Sequence, residues 1–425
     1  MEPTRETFGN IPGWSQVLFY VLAVVTAAVF AFGVWRRYRL WSRGRPMGWR
    51  LADWRSWAAK WRPGWRRLLV DGAGQRRVSD RGWAGRAHVA FFAGFMMLLL
   101  GTTLLEINHI AELISRNLSF HRGSYYVAYE LTLDVFGILF LAGCGFFLVR
   151  RLRLPPSAGH RASDWWVLGT FIAIGVTGYL VEALRIVWQR PEGIAAHCSP
   201  VGLWLARQFF AGLTEPAARS AHLAVWWLHA VLVFAFLAAI PFTRLFHFIA
   251  GPLNLVFRPG AVGAMEPVDM ATVEATGRMG AGAITDLSRQ QLLSLDACME
   301  CGRCEEACPA FATAKPLSPK KVVQDLKGEM ELALRSARPT SARRLPGEVI
   351  VEEALWACTS CNACVAVCPV HVDQLTLILE MRRNLVAEGG LSGTAATALR
   401  RMQSAANPWG LPAADRAGWR DTLPT

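Results

Sequence analysis

Five stretches of this chain are long and apolar enough to dissolve in lipid. They run from Trp14 to Trp35, Ala87 to Leu105, Tyr125 to Val149, Trp165 to Ile186 and Ala221 to Thr243. Each approaches or exceeds the ~20 residues an α-helix needs to cross a ~30 Å hydrocarbon core. Lipid offers no hydrogen-bond partners, so the backbone of such a segment must satisfy itself, and five bundled helices are the simplest solution. The first run is too long for a signal peptide and has no small-residue cleavage site after it, so it reads as a retained helix. Beyond residue 255 the apolar runs stop and the composition becomes that of a soluble protein. The expected fold is mainly α. A five-helix transmembrane bundle occupies residues 1–255 and a Gly- and Ala-rich linker 256–284. A second domain follows over 285–385, then a C-terminal tail over 386–425 as a possible docking segment.

Charge orients the bundle. The connection from Arg36 to Arg86 holds 15 Lys and Arg against three acids, and "RRLRLPPSAGHR" lies in the next even-numbered connection. The positive-inside rule places both in the cytoplasm, with the N-terminus outside and everything after His247 cytoplasmic. The location implied is the cytoplasmic (inner) membrane. The net charge of +13 and the interleaved Trp and Arg also fit a nucleic-acid binder. However, aromatic belts and cytoplasmic arginines already account for that composition, so no nucleic-acid partner is expected. Trp54, Trp57 and Trp61 recur at helical spacing beside Arg55, Lys60 and Arg62, as in a short interfacial helix ending near Pro63.

The last apolar run, "WLHAVLVFAFLAAIPFTRLFH", carries His229 and His247, 18 residues apart. At 3.6 residues per turn, that spacing puts both on one face of a continuous helix, ~27 Å apart. A lone intramembrane histidine is usually a hydrogen-bonded interior residue. Two on one face near opposite surfaces favour axial ligands of two stacked b haems. His88, near the cytoplasmic start of the second run, is level with His247 and is its expected partner. His109 is the candidate partner of His229. His121, His160 and His197 fall in loops and read as surface residues.

These residues resemble the cytochrome b (gamma) subunit of respiratory nitrate reductases. The resemblance rests on "WLH…PFTRLFH" and on His88 in "RAHVAFFAGF". It implies five helices, two b haems and electron exchange with quinol. The family has a second histidine ten residues after its first ligand, where this chain has Leu98. Three arrangements at the outer level therefore stay open: His109 as partner, His229 alone, or no outer haem. Acids in the membrane add a further candidate function. Glu106, Glu130, Asp134 and Glu182 are possible proton relays, with structural ion pairs such as Glu182 to Arg185 the competing reading.

Of ten cysteines, eight lie between Cys298 and Cys368, in "CMECGRCEEACP" and "CTSCNACVAVCP". Both runs are C-x2-C-x2-C-x3-C-P, the spacing of a two-cluster ferredoxin. The fourth cysteine of each run is expected to serve the other [4Fe–4S] cluster. One cluster takes Cys298, Cys301, Cys304 and Cys368; the other takes Cys358, Cys361, Cys364 and Cys308. Zinc needs only four ligands in paired motifs, and a reducing cytoplasm disfavours disulfides. Cys144 reads as a small packed residue, and Cys198 has no assigned role.

About fifty residues separate the two runs. Val322, Val323, Leu326, Met330 and Leu334 recur there at helical intervals, with a possible break at Gly328, and "EVIVEEALWA" also reads as helix. The domain is therefore a helical rather than a β-based ferredoxin. It resembles the iron–sulfur subunit of heterodisulfide reductases. "CGRCEEACPAFATAKPLSPKKVVQDLK" further resembles membrane iron–sulfur oxidoreductases that link electron-transfer flavoprotein to quinone. Those proteins continue into cysteine-rich CCG domains, whereas no Cys follows Cys368 here.

The resemblance implies electrons passing from a cytoplasmic electron-transfer flavoprotein or CCG-type subunit through two [4Fe–4S] clusters and one or two b haems to quinone. Quinol oxidation feeding a heterodisulfide-reductase-like or sulfite-reducing subunit is the alternative. A membrane anchor without a quinone site is a third reading. No nucleotide-binding loop or nucleophile–base pair stands out over 284–425, so the chain is expected to move electrons rather than transform an organic substrate.

Overall fold

The computed structural model describes residues 4, 7–46, 63–153, 162–259, 263, 265, 267–335 and 343–423. Five helices are long and apolar enough to cross a membrane. They are α1 (Gly13–Trp41), α2 (Gly82–Ile114), α3 (Gly123–Arg153), α4 (Ala162–Gln189) and, after the short α5 (Pro200–Phe209), α6 (Glu215–Ala239). The later helices are α7 (His247–Phe257), α8 (Arg289–Ala297), α9 (Pro319–Arg335), α10 (Gln374–Ala387) and α11 (Gly393–Ala405). Among the described residues there is no β-strand, only isolated bridges. The fold is the all-helical one expected.

The chain divides into two compact units. The first is Met1–Arg37 with Leu69–Phe246, and the second is Tyr38–Leu68 with His247–Thr425. Residues 38–68 and 247–255, whose composition suggests the bundle, thus cluster with the cysteine-rich part. Trp54, Trp57, Trp61 and His160 lie outside the described residues.

In the first unit α2 packs on α3, α3 on α4, and α4 on α6. The first of these contacts is close because glycines line it. A Cβ on Gly94 would lie 2.6 Å from the Phe136 carbonyl oxygen, and one on Gly143 would lie 2.7 Å from the Phe91 side chain. Phe91, Phe140, Phe171 and Phe236 interlock in the interior, with ring centroids 5.0–5.8 Å apart. α1 meets α6 through Trp227, whose indole donates to Ser15 at 2.8 Å, and at its far end Gly33 sits against Pro241. His121 departs from the surface position expected: it is fully buried, 4.3 Å from the Tyr129 ring. The reason is local. Asn108 accepts from the backbone N–H groups of Phe120 and His121, folding that loop inward.

α6 ends at Ala239, where a short 3₁₀ turn over Ile240–Phe242 begins. Thr243 is extended, Arg244–Phe246 form a second short turn, and α7 starts at His247. His229 and His247 are therefore not on one face of a continuous helix. Pro241 explains the break, since it lacks an N–H and its ring clashes with the preceding turn.

In the second unit, both ends of the first basic connection are built in. Arg45 pairs with the α8 entry, its N–H donating to Leu287 and its carbonyl accepting from Arg289. Arg67 donates to the carbonyls of Leu255 and Arg258 at 2.8 and 2.7 Å, closing the C-terminus of α7. α8 opens with a reciprocal Ser288–Gln291 capping box. α9 buries Val322, Val323, Leu326 and Met330 and runs without a break through Gly328. Of "EVIVEEALWA", only Glu352–Trp356 is α-helical, because Pro346 and Gly347 hold the preceding turn out of helical conformation.

Asp296, at the end of α8, is fully buried. It accepts from the Trp41 indole at 2.9 Å and lies 3.4 Å from Lys327 Nζ. Removing one member of a buried, paired group leaves the other uncompensated, which costs about 3–5 kcal/mol. Asp296→Ala is expected to destabilise the second unit by that order, and Trp41→Phe by about 1.5–3 kcal/mol for one charge-assisted hydrogen bond. Thermal unfolding of the detergent-solubilised protein, followed by circular dichroism, checks both the losses and their ranking.

Candidate redox centres

The two cysteine loops have the same backbone. In the first, Glu300 (φ 58°) and Gly302 (φ 81°) are left-handed; in the second, Ser360 (φ 57°) and Asn362 (φ 64°) take the matching positions. Glycine and asparagine tolerate this region, while the Glu and Ser positions carry strain of the kind that clusters at functional sites. Such turns gather backbone N–H groups into a concavity that favours anionic sulfur. Accordingly, Ser360 N–H donates to Cys358 Sγ at 3.4 Å and Val372 N–H to Cys368 Sγ at 3.3 Å. A short helix follows each loop, Arg303–Glu306 and Ala363–Ala366, and the two pack together.

The eight thiols fall into two groups, and each group crosses between the loops. Cys308 lines one pocket with Cys358, Cys361 and Cys364, closed behind by Leu375 and Ile378. Burial pushes the Cys364 thiol up to about 12, with Cys358 and Cys308 adding to it. Cys368 keeps the other company. Burial holds it up at about 12, and the charges raising it further are Cys298 and Cys301. Cys304 is raised by burial first, then by Cys298, Cys368 and Cys301, with Cys364 the weakest contributor. Cys361 is the exception: the Ala363 N–H and then the Thr359 hydroxyl stabilise its thiolate and lower it.

Among the described residues, no three His, Cys, Asp or Glu side chains converge closely enough to hold a single metal ion. Two C-x2-C-x2-C-x3-C-P loops supply the thiolate donors that a pair of cubane clusters requires. The donor set is therefore suited to [4Fe–4S] clusters. Two residues that no motif announced also reach the cysteine loops. Gln324, on α9, donates its amide to Cys298 Sγ at 3.3 Å. Arg382, on α10, donates to the Cys358 carbonyl at 2.5 Å and to Leu355 while lying over the Trp356 ring. Their helical positions gave no signal beyond ordinary polar spacing.

The histidines divide differently. His229 Nδ1 is 2.9 Å from Thr177 Oγ on α4. The threonine hydroxyl has one proton, and it points to the Ala173 carbonyl at 2.7 Å. With that proton engaged, the Thr177 oxygen is free to accept from a His229 Nδ1–H, the tautomer that keeps a lone pair on Nε2. That is the tautomer a metal ligand needs, held by a partner on its other nitrogen. Gly178 keeps the space beside the ring open, with its Cβ position 3.4 Å from His229 Cε1. His229 therefore fits a haem ligand. His109 lies within α2, and its ring packs against Phe8 and Tyr20 at 5.0 and 6.3 Å. His88 sits in the first turns of α2, its ring flanked by Phe91 and Phe147. His247 is the first residue of α7, against Phe248.

The membrane acids each have a partner, and Glu130 and Glu182 share one. Arg185 lies 2.6 Å from Glu182 and 3.7 Å from Glu130. Ser199 donates to Glu130 at 3.1 Å. Asp134 accepts from the N–H groups of Val201 and Gly202, capping the start of α5. Glu106 accepts from Tyr20 at 2.9 Å. Cys144 is fully buried, as expected of a packed residue.

Comparison with known proteins finds two families along the chain. The nitrate reductase gamma subunit family matches residues 83–264, and the 4Fe-4S dicluster domain matches residues 294–372. The EtfAB:quinone oxidoreductase of Syntrophomonas wolfei is 32% identical over 99% of this chain and 61% of its own length. The probable iron-sulfur-binding oxidoreductase FadF of Bacillus subtilis is 31% identical over 84% of this chain and 55% of its own. A ferredoxin:CoB-CoM heterodisulfide reductase subunit of Methanosarcina mazei is 29% identical over 23% of this chain and 50% of its own. The chain thus spans about 61% and 55% of the length of the first two relatives. No solved structure matches. The chain thus carries a nitrate reductase gamma-like domain and a 4Fe-4S dicluster domain, with five helices long and apolar enough to cross a membrane, and is related to the EtfAB:quinone oxidoreductase and to heterodisulfide reductase subunits.

Proposed function

We propose that this protein carries electrons from a reduced cytoplasmic flavoprotein to quinone in the inner membrane. The observation that carries the reading is the gathering of eight thiols into two four-membered groups, in a chain that also has five membrane-length apolar helices. Clusters exchange single electrons, and lipid-dissolved helices give access to a lipid-soluble acceptor. One cluster is held by Cys298, Cys301, Cys304 and Cys368, the other by Cys358, Cys361, Cys364 and Cys308. A b haem, which carries one electron at a time when bound, takes His88 and His247, both within the stretch that matches the gamma-subunit family. His229 serves an outer haem, with Thr177 fixing its tautomer. The N-terminus faces outward, and the cysteine-rich unit faces the cytoplasm.

The flavoprotein partner follows from the names of the relatives. It docks on the cysteine-rich unit and on the tail after residue 386. There Leu399, Met402, Trp409 and Trp419 are exposed. The network of Glu130, Asp134 and Glu182 lies in the membrane half and supplies a route for the protons that quinone takes up. A quinol-oxidising role beside a heterodisulfide-reductase-like subunit is the second reading, favoured by the likeness of the cluster domain to the Methanosarcina protein.

The test of the main reading is reconstitution. Full-length protein in liposomes is mixed with chemically reduced electron-transfer flavoprotein and a soluble quinone, and quinol is measured. Steady quinol formation dependent on both proteins supports the assignment. Reduced flavoprotein that leaves the clusters oxidised removes it.

His247→Ala is expected to abolish one haem's visible absorbance while leaving the cluster signals intact; an unchanged haem content refutes that ligand. Cys368→Ser should damage the cluster of the first loop, and Cys308→Ser that of the second, as read by electron paramagnetic resonance of each variant. The reverse pairing would show uncrossed ligation. Thr177→Val removes the acceptor from His229 Nδ1. A haem bound there is expected to keep its iron but shift its reduction potential, seen in a spectroscopic redox titration.

A further inference from the structure

α7 begins at His247, and its contacts in the cysteine-rich unit fall on the residues that follow Cys368 and on the helix that precedes Cys298. Its Asn254 is fully buried. The Asn254 amide donates to the Val370 carbonyl at 2.7 Å and accepts from Gln290 of α8 at 2.8 Å. Arg258, one turn on, donates to His371 Nδ1 at 2.9 Å. Gly251 sits so close to Val370 that a Cβ would lie 3.3 Å from its Cγ1. Val370 and His371 directly follow Cys368 and Pro369. α8, the other helix packed on α7, ends where Cys298 begins its loop. The helix that starts with the proposed haem ligand therefore rests on both chain ends of the Cys298, Cys301, Cys304 and Cys368 group. His247 and Gly251 are four residues apart, ~6 Å along the helix.

Solvent exposure does not choose between the groups, because Cys301 and Cys361 are both exposed. The helix does choose. We propose that α7 fixes the order of electron transfer: the cluster of Cys298, Cys301, Cys304 and Cys368 is the one that exchanges with the haem on His247, and the cluster of Cys308, Cys358, Cys361 and Cys364 is the entry point. The two groups adjoin through the packed helices that carry Cys304 and Cys364. Exposed Trp356 under Arg382, and exposed Phe311, flank the entry cluster and offer the partner an aromatic landing. Each passage moves one electron. With both groups loaded, the thiols of Cys308, Cys358, Cys361 and Cys364 would hold the centre that gives the electron up, those of Cys298, Cys301, Cys304 and Cys368 the centre that takes it, and His247 the group that receives it last. Two passages bring the two electrons of a reduced flavin to one quinone, which takes up two protons as quinol.

The inference rests on the proposed haem at His247, so haem content is measured in every sample. Replacing Cys301 or Cys361 by Ala leaves three thiolates, which favour a three-iron cluster that is paramagnetic when oxidised. Its spin relaxation is compared with and without ferric haem, the latter by adding His247→Ala. The Cys301→Ala cluster is expected to relax several-fold faster when haem is present, and the Cys361→Ala cluster much less so. The opposite ranking overturns the order while leaving the haem assignment standing. Haem absent from the otherwise unaltered protein overturns both.

A second measurement avoids the cluster ligands. Asn254→Leu breaks the contact between α7 and Val370. On rapid mixing with dithionite it should bleach the clusters at the normal rate but slow the haem band several-fold, at unchanged haem and iron content. An unaltered haem rate overturns the proposed route.

Discussion

Each group of four thiols takes three members from one loop and one from the other, and the rest of the second unit depends on that exchange. Cys308 sits with Cys358, Cys361 and Cys364, the long span of sequence between the two loops being folded back on itself. Each group needs both loops in place, so metal binding there is coupled to the folding that brings them together. The helices follow from this. α9 covers the first loop, placing Gln324 on Cys298. α10 covers the second, placing Arg382 on the Cys358 carbonyl. The buried thiols stay protonated until metal displaces the protons. Hydrogen bonds and cations around the sulfurs are among the levers that set a cluster's potential.

The bundle solves a different problem, the placing of acids among apolar helices. Most of its helix surface is apolar and exposed, as a lipid-facing surface must be. Its buried acids are each given a partner. Arg185 serves Glu182 and Glu130 together, and Asp134 binds the α5 backbone. A carboxylate that accepts two backbone N–H groups at a helix start has a structural use already. Proton transfer through this network would have to run alongside its role of holding α5 against α4 and α3.

The parts legible in the sequence were those whose chemistry is local. Apolar length gave the five helices, and cysteine spacing gave the two loops, because neither depends on distant partners. The dependence of α9 on Val322, Leu326 and Met330 was visible for the same reason. What escaped was set by tertiary contact. Residues 38–46 look like a membrane-edge segment, yet Trp41 and Arg45 bind Asp296 and the α8 entry. His121 looks like a loop residue and is buried by Asn108. Thr177 carries no motif and matters only because α4 brings it to His229.

The spacing of His229 and His247 suggests a geometry that the chain does not adopt. Eighteen residues on an unbroken helix would align both rings on one stripe, but Pro241 ends that helix two residues after Ala239. The break has a physical use. A continuous helix would carry His247 forward on the axis of α6, whereas a restarted helix takes its direction from its own contacts. α7 takes it from Asn254, Gln290, Val370 and Arg67, all in the second unit. Its first residue then has its position fixed by the cluster domain rather than by the bundle. Interrupting the helix between the two histidines therefore separates what each is held by: His229 by Thr177 within the first unit, and His247 by the helix that Asn254 and Gln290 anchor within the second.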